Sequence, residues 1–201
     1  MHDSDPPAHI ALVLTERDLL LEGAFDTLEA ALRWAFEYGA TRVTVSVSVL
    51  DSAVVPTLTR ELERLDAPRP MTISDPEAVT ASPVNDGTDA PTDDAPPIRF
   101  IVGLGGKAEF AAAVRDLAVD VDEGRLDPDA IDAAAITDRL VFPEEPDLVI
   151  KTGAERLSDF AIWQSVYAEL YFTDVNWRDF RKRDYLRAVL DFQDRQRRFG
   201  R

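Results

Sequence analysis

The sequence predicts an α/β fold in which helices cover both faces of a mostly parallel central sheet. Short apolar runs, several rich in β-branched residues, alternate with segments of helical periodicity along most of the 201 residues. Hydrophobic residues make up 45% of the chain, which is typical of a globular protein with a proper core. We find no internal repeat and no second domain, so residues 1–201 are expected to form one domain.

The first half of the chain predicts strands and helices in alternation. The run HIALVL at 9–14 indicates a buried strand. A helix follows, with a capping box at Asp26 and Glu29 and an end at Gly39. Its apolar face comprises Leu28, Ala31, Leu32, Ala35 and Phe36. The elements expected next are a strand at 42–50, a helix at about 54–65 and a short strand at 70–74.

Residues 75–97 interrupt this pattern. They contain no aromatic residue, five of the thirteen prolines, and a cluster of Asp, Thr and Ala. Such a segment buries too little apolar surface to fold by itself. We therefore expect a solvated, mobile loop inside the domain.

Order returns after residue 97. The run IRFIVGLGG at 98–106 predicts a strand, and a helix follows whose apolar stripe comprises Phe110, Val114, Leu117, Ala118 and Val121. The remaining expected elements are a short helix after Asp127, a strand at 146–151, and helices near 160–168 and 179–197.

Charge restricts the possible partners. The formal net charge is −16, and only three of the 22 basic residues are lysines. This balance argues against nucleic acid as a partner, because neutralising phosphates needs a basic face. A lysine-poor acidic surface is expected of a salt-adapted protein, although an ordinary acidic protein is the alternative. Residues 172–201 are the exception, with nine cations against five acids.

The chain also lacks several localisation signals. There is no cysteine, no apolar run of membrane-spanning length and no secretory signal at the start, so we expect a soluble cytoplasmic protein.

One stretch concentrates groups suited to an anion. Lys151, Arg156 and Ser158 surround a Gly-Ala break just past a predicted buried strand, at the edge where open α/β sheets bind ligands. Arginine can grip phosphate oxygens in a bidentate way, so a diphosphate suits this loop. The alternative is a loop that is salt-bridged to nearby acids. The GLGGK run at 103–107 lacks phosphate-loop spacing and favours a Gly-rich strand-to-helix turn.

Two long stretches resemble cis-prenyltransferases, the undecaprenyl diphosphate synthase family. The strong resemblance runs from PDLVIKTGAERLSDFAIWQSVYAELYFTDVNWRDF at 146–180 to DFQDRQRRFG at 191–200, and a looser one covers 102–132. HIALVL is similar to the family's first strand. The family uses magnesium to add isopentenyl diphosphate units to an allylic diphosphate, building polyprenyl carrier lipids in isoprenoid biosynthesis.

The resemblance implies roles for six residues. Arg156 and Ser158 match positions that bind the diphosphate of isopentenyl diphosphate, and Lys151 stands where the family usually has arginine. Glu169 matches a metal-binding carboxylate. The pair Arg198 and Gly200 matches a C-terminal Arg-x-Gly, which reaches into the partner's active site in dimeric members.

The first loop departs from the family. Where the family places Asp-Gly-Asn-Gly-Arg-Trp, with an aspartate that holds magnesium, the chain reads Leu14-Thr15-Glu16-Arg17-Asp18. Thr15 occupies the aspartate position, both glycines are missing, and Glu16 or Asp18 could substitute only with a register shift. A hydroxyl is a poor replacement for a carboxylate on magnesium. A Ser-Thr-Glu-Asn-Trp motif is also missing, and the tunnel helices expected at 51–97 are reduced to one helix and a loop.

HIALVLTE at 9–16, the short segment after it, DLVIKTG at 147–153 and the terminal Arg-x-Gly together resemble the Nogo-B receptor, the non-catalytic subunit of eukaryotic heteromeric cis-prenyltransferases, which also lacks the catalytic aspartate. The resemblance implies an accessory subunit that pairs with a catalytic cis-prenyltransferase, binds isopentenyl diphosphate, and contacts membranes peripherally through the lipid product. Magnesium would act in the complex and need not be bound by this chain alone. The alternatives are a stand-alone, homodimeric prenyltransferase with a rearranged first loop, and a non-enzymatic diphosphate-binding or scaffold protein.

Overall fold

A computed structural model describes residues 5–74, 96–103, 105–140, 144–153 and 163–199. Its strands are β1 His9–Thr15, β2 Arg42–Ser48, β3 Met71–Ser74, β4 Ile98–Gly103, β5 Leu148–Thr152 and β6 Glu169–Thr173. They form one sheet in the order β3-β4-β2-β1-β5-β6, and every neighbouring pair is parallel. The α-helices are α1 Glu16–Leu19, α2 Ala24–Glu37, α3 Val55–Leu62, α4 Gly106–Asp122, α5 Ala133–Thr137 and α6 Lys182–Phe199.

The main hydrophobic core lies on one face of this sheet. Side chains alternate between the faces of a strand, so every second residue of β1 joins this core. Helices α2, α3 and α6 cover it, and its largest buried members include Leu12, Leu28, Phe100, Trp177 and Tyr185. The opposite face carries a smaller cluster made of Ala11, Val13, Ile101 and Val149, with Ala168 and Leu170 beside it.

Crossover handedness places helices on both faces. The connection from β1 to β2 through α2 runs toward the β3 edge, whereas the connection from β4 to β5 through α4 runs toward β6. Parallel crossovers are right-handed in nearly all proteins, so opposite directions of travel put α2 and α4 on opposite faces. The predicted fold class is thus confirmed.

The start of α2 differs from the prediction, but its end agrees. The helix begins at Ala24 behind Gly23, whose φ of 77° is left-handed, so Asp26 lies within the first turn and does not cap it. Glu29 instead pairs with Arg33 at 3.0 Å. Gly39 ends the helix as predicted, with a φ of 102° that disfavours any side chain.

The predicted stripe of α4 is confirmed at Leu117 but wrong for most of its other members. Phe110 and Val114 are 36% and 44% exposed, and Ala118 is exposed as well. The buried side comprises Gly106, Ala113, Leu117 and Asp120. Asp120 is buried because it pairs with Arg139 and, at 2.7 Å, with Arg125. Hydrophobic periodicity assigns an acidic residue to solvent, and it therefore rotates the helix away from its true orientation.

The last third also contains an unexpected strand. The predicted helix at 160–168 is wrong over its described part, because 163–167 form turns and the strand β6 starts at Glu169. Helix α6 runs from Lys182 to Phe199, which is later at both ends than predicted. Its residue Leu190 is 57% exposed and does not pack on the domain. The loop predicted at 75–97 lies outside the described residues up to 95.

Candidate functional site

Lys151 lies at the carboxyl edge of the sheet. It is paired with Val13 across the parallel ladder of β1 and β5, and strand alternation puts its side chain on the face of Val13 and Val149. Thr15 follows Val13 by two residues, so Thr15 and Lys151 share that face, as the resemblance requires. Gly153 then turns the chain out of β5 with a φ of 81°, and its N–H donates to the Val175 carbonyl at 2.9 Å.

Lys151 is buried, and the described residues provide it with no acidic partner. Its side chain is only 1% exposed, yet no carboxylate or other group in the described part of the chain bonds to its ammonium. Buried charges are normally paired, because removing an ammonium from water costs several kcal/mol. A buried, unpaired cation at a ligand-binding edge is suited to an incoming anion.

Thr15 is fully engaged in a local cap. Its hydroxyl donates to Asp18 Oδ2 at 2.9 Å and accepts from the Asp18 N–H at 3.3 Å, while its own N–H donates to Asp18 Oδ2 at 2.8 Å. This capping box starts α1 directly at the end of β1. Glu16 is engaged as well, since its carboxylate accepts the Leu50 N–H at 3.0 Å.

Glu169 lies on the opposite face from Lys151. It is the first residue of β6 and pairs with Leu148, whose side chain belongs to the main core. Its carboxylate accepts from Arg195 of α6 at 3.0 Å, and Arg195 also contacts Asp191 at 2.8 Å. The hydrogen bond to Glu169, more than any other effect, raises the pKa of the Arg195 guanidinium. Thr15, Lys151 and Glu169 are therefore not brought together.

The other predicted site residues are described in part or not at all. Arg156, Ser158 and Gly200 lie outside the described residues. The backbone of Arg198 is in the last turn of α6, but its side chain is not described. The Gly-rich turn is confirmed at both ends: β4 stops at Gly103 and α4 starts at Gly106, which leaves Lys107 in the first helical turn.

Sequence reasoning missed a groove elsewhere on the surface. It has a volume of about 520 Å³ and lies between the start of α2 and the segment before α6, without including Lys151. Its walls come from residues more than 140 positions apart, so no local sequence signal could predict it. The lining combines opposite charges with aromatic rings and includes Glu22, Asp26, Trp34, Arg178, Asp179 and Arg181.

Comparisons with known proteins identify the family. A family model described as "Putative undecaprenyl diphosphate synthase" matches residues 80–200. The chain belongs to this undecaprenyl diphosphate synthase family. The match leaves out HIALVL and begins inside the 51–97 segment.

Two curated relatives are similar over about half of this family member. A tritrans,polycis-undecaprenyl-diphosphate synthase (geranylgeranyl-diphosphate specific) from Methanopyrus kandleri is 52% identical over 107 residues, which is 52% of this chain and 40% of that enzyme. An isoprenyl transferase from Streptococcus pyogenes is 46% identical over 110 residues, covering 51% and 44% of the two chains. The matches thus span less than half the length of these relatives.

A solved structure supports the fold over nearly the whole chain. Lavandulyl diphosphate synthase from Lavandula x intermedia, in complex with dimethylallyl diphosphate, superposes with a TM-score of 0.68. The alignment covers 95% of this chain and 97% of the other at 23% identity. At that identity the likeness establishes the shared fold alone.

The described residues do not fit the magnesium site that the resemblance implies. Magnesium is held by carboxylate oxygens, yet Thr15 offers a hydroxyl that already bonds to Asp18, and Glu169 is paired with Arg195 on the other face. Over these residues there is also no group of three or more His, Asp or Glu that could hold a metal ion. No helix in the described ranges has the length and apolar character needed to cross a bilayer.

Proposed function

We propose that this chain is the accessory subunit of a heteromeric polyprenyl diphosphate synthase, in which a catalytic cis-prenyltransferase is the partner. The observation that carries the proposal is the capping box at Thr15. The resemblance assigns Thr15 to the position of the family's magnesium-binding aspartate, and the Thr15 hydroxyl is already bonded to Asp18 Oδ2 at 2.9 Å. Magnesium and the allylic diphosphate would then be bound by the partner.

The half of the chain that retains family similarity supports a role in diphosphate binding. In this proposal Lys151, Arg156 and Ser158 hold the diphosphate of isopentenyl diphosphate, while Arg198 and Gly200 reach the partner's site. The buried ammonium of Lys151, which has no partner among the described residues, is consistent with this assignment. Lysine provides charge without the bidentate fork of arginine, so it would act mainly through electrostatics.

A stand-alone synthase is the second candidate. The observation that favours it is the similarity, at 46–52% identity, to relatives that are themselves named synthases or transferases. A homodimer of this chain would need another carboxylate to replace the missing aspartate. A scaffold that binds diphosphate without catalysis would have the same Lys151 site and no turnover with any partner.

The test is incorporation of radiolabelled isopentenyl diphosphate into polyprenyl products. The chain is assayed alone and together with a full-length family member from the same genome. We expect little or no elongation by the chain alone and robust elongation by the pair, because loss of a metal-binding carboxylate removes several kcal/mol of transition-state stabilisation. Turnover by the isolated chain would support the stand-alone alternative, and no turnover by the pair would support the scaffold.

A Thr15→Asp variant refines the test. Aspartate is also a good helix N-cap, so the variant should fold. It should not restore elongation by the isolated chain, because the new carboxylate would replace only one element of a loop that has also lost both glycines. Recovery of activity by this single substitution would contradict the accessory role.

A further inference from the structure

We infer that this chain binds a diphosphate group without a divalent cation, with the ammonium of Lys151 supplying the positive charge. The inference rests on the proposed function in that it concerns the same diphosphate site. It goes further because magnesium is what the family resemblance implies at this edge of the sheet.

None of the described residues supplies Lys151 with the counter-ion that a buried ammonium normally has. Lys182 is a useful comparison in the same chain, because its ammonium is paired with Glu37 at 3.0 Å and stays on the surface. Lys151 is 1% exposed and has no such partner among the described residues. An anion that reached Lys151 would form a charge-assisted contact in surroundings of low dielectric, where such contacts are strongest.

Among the described residues at this edge, the carboxylates that could hold a metal are already engaged, apart from Asp174. Asp18 accepts two hydrogen bonds from Thr15, and Glu16 accepts one from the Leu50 N–H. Asp51, just past β2, caps its own turn through the Ala53 N–H at 2.9 Å. Asp174 follows β6 and is exposed, and a single exposed carboxylate binds magnesium weakly. The described charge at the edge next to Lys151 therefore favours an anion over a cation.

Calorimetric titration with inorganic pyrophosphate tests the inference on the isolated chain. In buffer with EDTA, we expect saturable binding to one site per chain. At equal free pyrophosphate, added magnesium should change the dissociation constant less than threefold. Binding that appears only when magnesium is present, or no binding under either condition, would overturn the inference.

Three variants assign the binding to the buried lysine. Lys151→Met should weaken pyrophosphate binding at least tenfold, whereas Lys151→Arg should keep it within about threefold. The matched control Lys182→Met removes a surface ammonium and should leave the affinity unchanged. Equal losses in Lys151→Met and Lys182→Met would contradict the site. The wild-type titration in EDTA remains decisive if a variant at position 151 does not fold.

Electron paramagnetic resonance of Mn²⁺ provides an independent readout. Mn²⁺ loses its free-ion signal when it binds, so a titration counts bound metal without any assay of activity. We expect the chain alone to bind no stoichiometric Mn²⁺ at micromolar concentrations, and one tight Mn²⁺ per chain would overturn the inference. Failure of prenyl elongation with a partner would reject the proposed function but leave these binding results unchanged, so the two can be told apart.

Discussion

His9 is a buried histidine at the amino end of β1, on the opposite edge from Lys151. It is 8% exposed, and its Nε2 lies 2.9 Å from the Thr44 hydroxyl. Burial, and then the positive charge of Arg42, lowers its pKa to about 4, although Glu144 and Asp147 act in the other direction. The folded protein therefore holds this ring neutral at pH values where the unfolded chain protonates it.

This difference predicts a loss of stability on mild acidification. The histidine pKa is about 6.5 when unfolded and about 4 when folded, so the unfolded state binds the extra proton between these values. The free energy of unfolding should fall by about 2 kcal/mol between pH 7 and pH 5 from this group alone. Urea unfolding at both pH values measures it. His9→Gln is the non-titrating control, and the same pH dependence in that variant would contradict the prediction.

At the scale of one element, α6 connects the core to the basic end of the chain. Tyr185, Ala188, Val189 and Phe192 bury its inner side, and Arg195 ties it to β6 through Glu169. The helix continues to Phe199, so Arg198 lies in its last turn and not in a free tail. The residue after the helix is Gly200, a type favoured at helix C-termini because it tolerates left-handed backbone.

The position of Arg198 in the last turn of α6 predicts a contact between this arginine and the partner's active site. Arg198→Ala should lower the elongation activity of a reconstituted complex at least tenfold while the complex still forms, since a charge-assisted contact contributes about 1.5–3 kcal/mol. Arg187→Ala is the matched control, because Arg187 is an exposed arginine on the same helix. Activity assays and size-exclusion chromatography of the complexes provide the measurements. Equal activities of both variants and the wild type would reject a contact in trans by Arg198.

At the scale of the whole molecule, the large negative net charge is the feature that governs how stability should depend on salt. A chain of 201 residues with a charge of −16 repels itself at low salt. Simple screening of this repulsion is largely complete by about 0.5 M salt, where the Debye length has fallen to about 4 Å. Stabilisation below about 0.5 M salt therefore cannot distinguish an ordinary acidic protein from a salt-adapted one. The change in thermal stability above about 0.5 M salt can.

Salt adaptation predicts that the melting temperature keeps rising between 0.5 and 3 M KCl. Thermal unfolding followed by circular dichroism at several KCl concentrations provides the measurement. Choline chloride at equal ionic strength is the control for screening. A plateau above 0.5 M in both salts would identify an ordinary acidic protein.

Much of the fold could be predicted from the sequence, because its local signals agree with the tertiary environment. HIALVL, VTVSV and LVIK are buried on both sides in a parallel sheet, so they appear as short runs of mostly apolar residues with helical segments between them. The position of Lys151 at the carboxyl edge followed from this pattern as well. The assignment of Thr15 to the family's aspartate position rests on the resemblance alone and stays a prediction.

Only the tertiary structure decided the pairing of β6, the side of α4 that is buried, and the face of the sheet on which Glu169 lies. Strand β6 is short and follows a segment whose sequence predicts a helix. Pairing with β5 makes ELYFT a strand. The orientation of α4 depends on Asp120, whose burial is compensated by Arg125 and Arg139 from later in the chain. The register that pairs Leu148 with Glu169 puts Glu169 on the opposite face from Lys151. Side-chain alternation has a period of two, so a shift of one residue would have put Glu169 on the same face as Lys151, and only the hydrogen-bonded ladder sets that register.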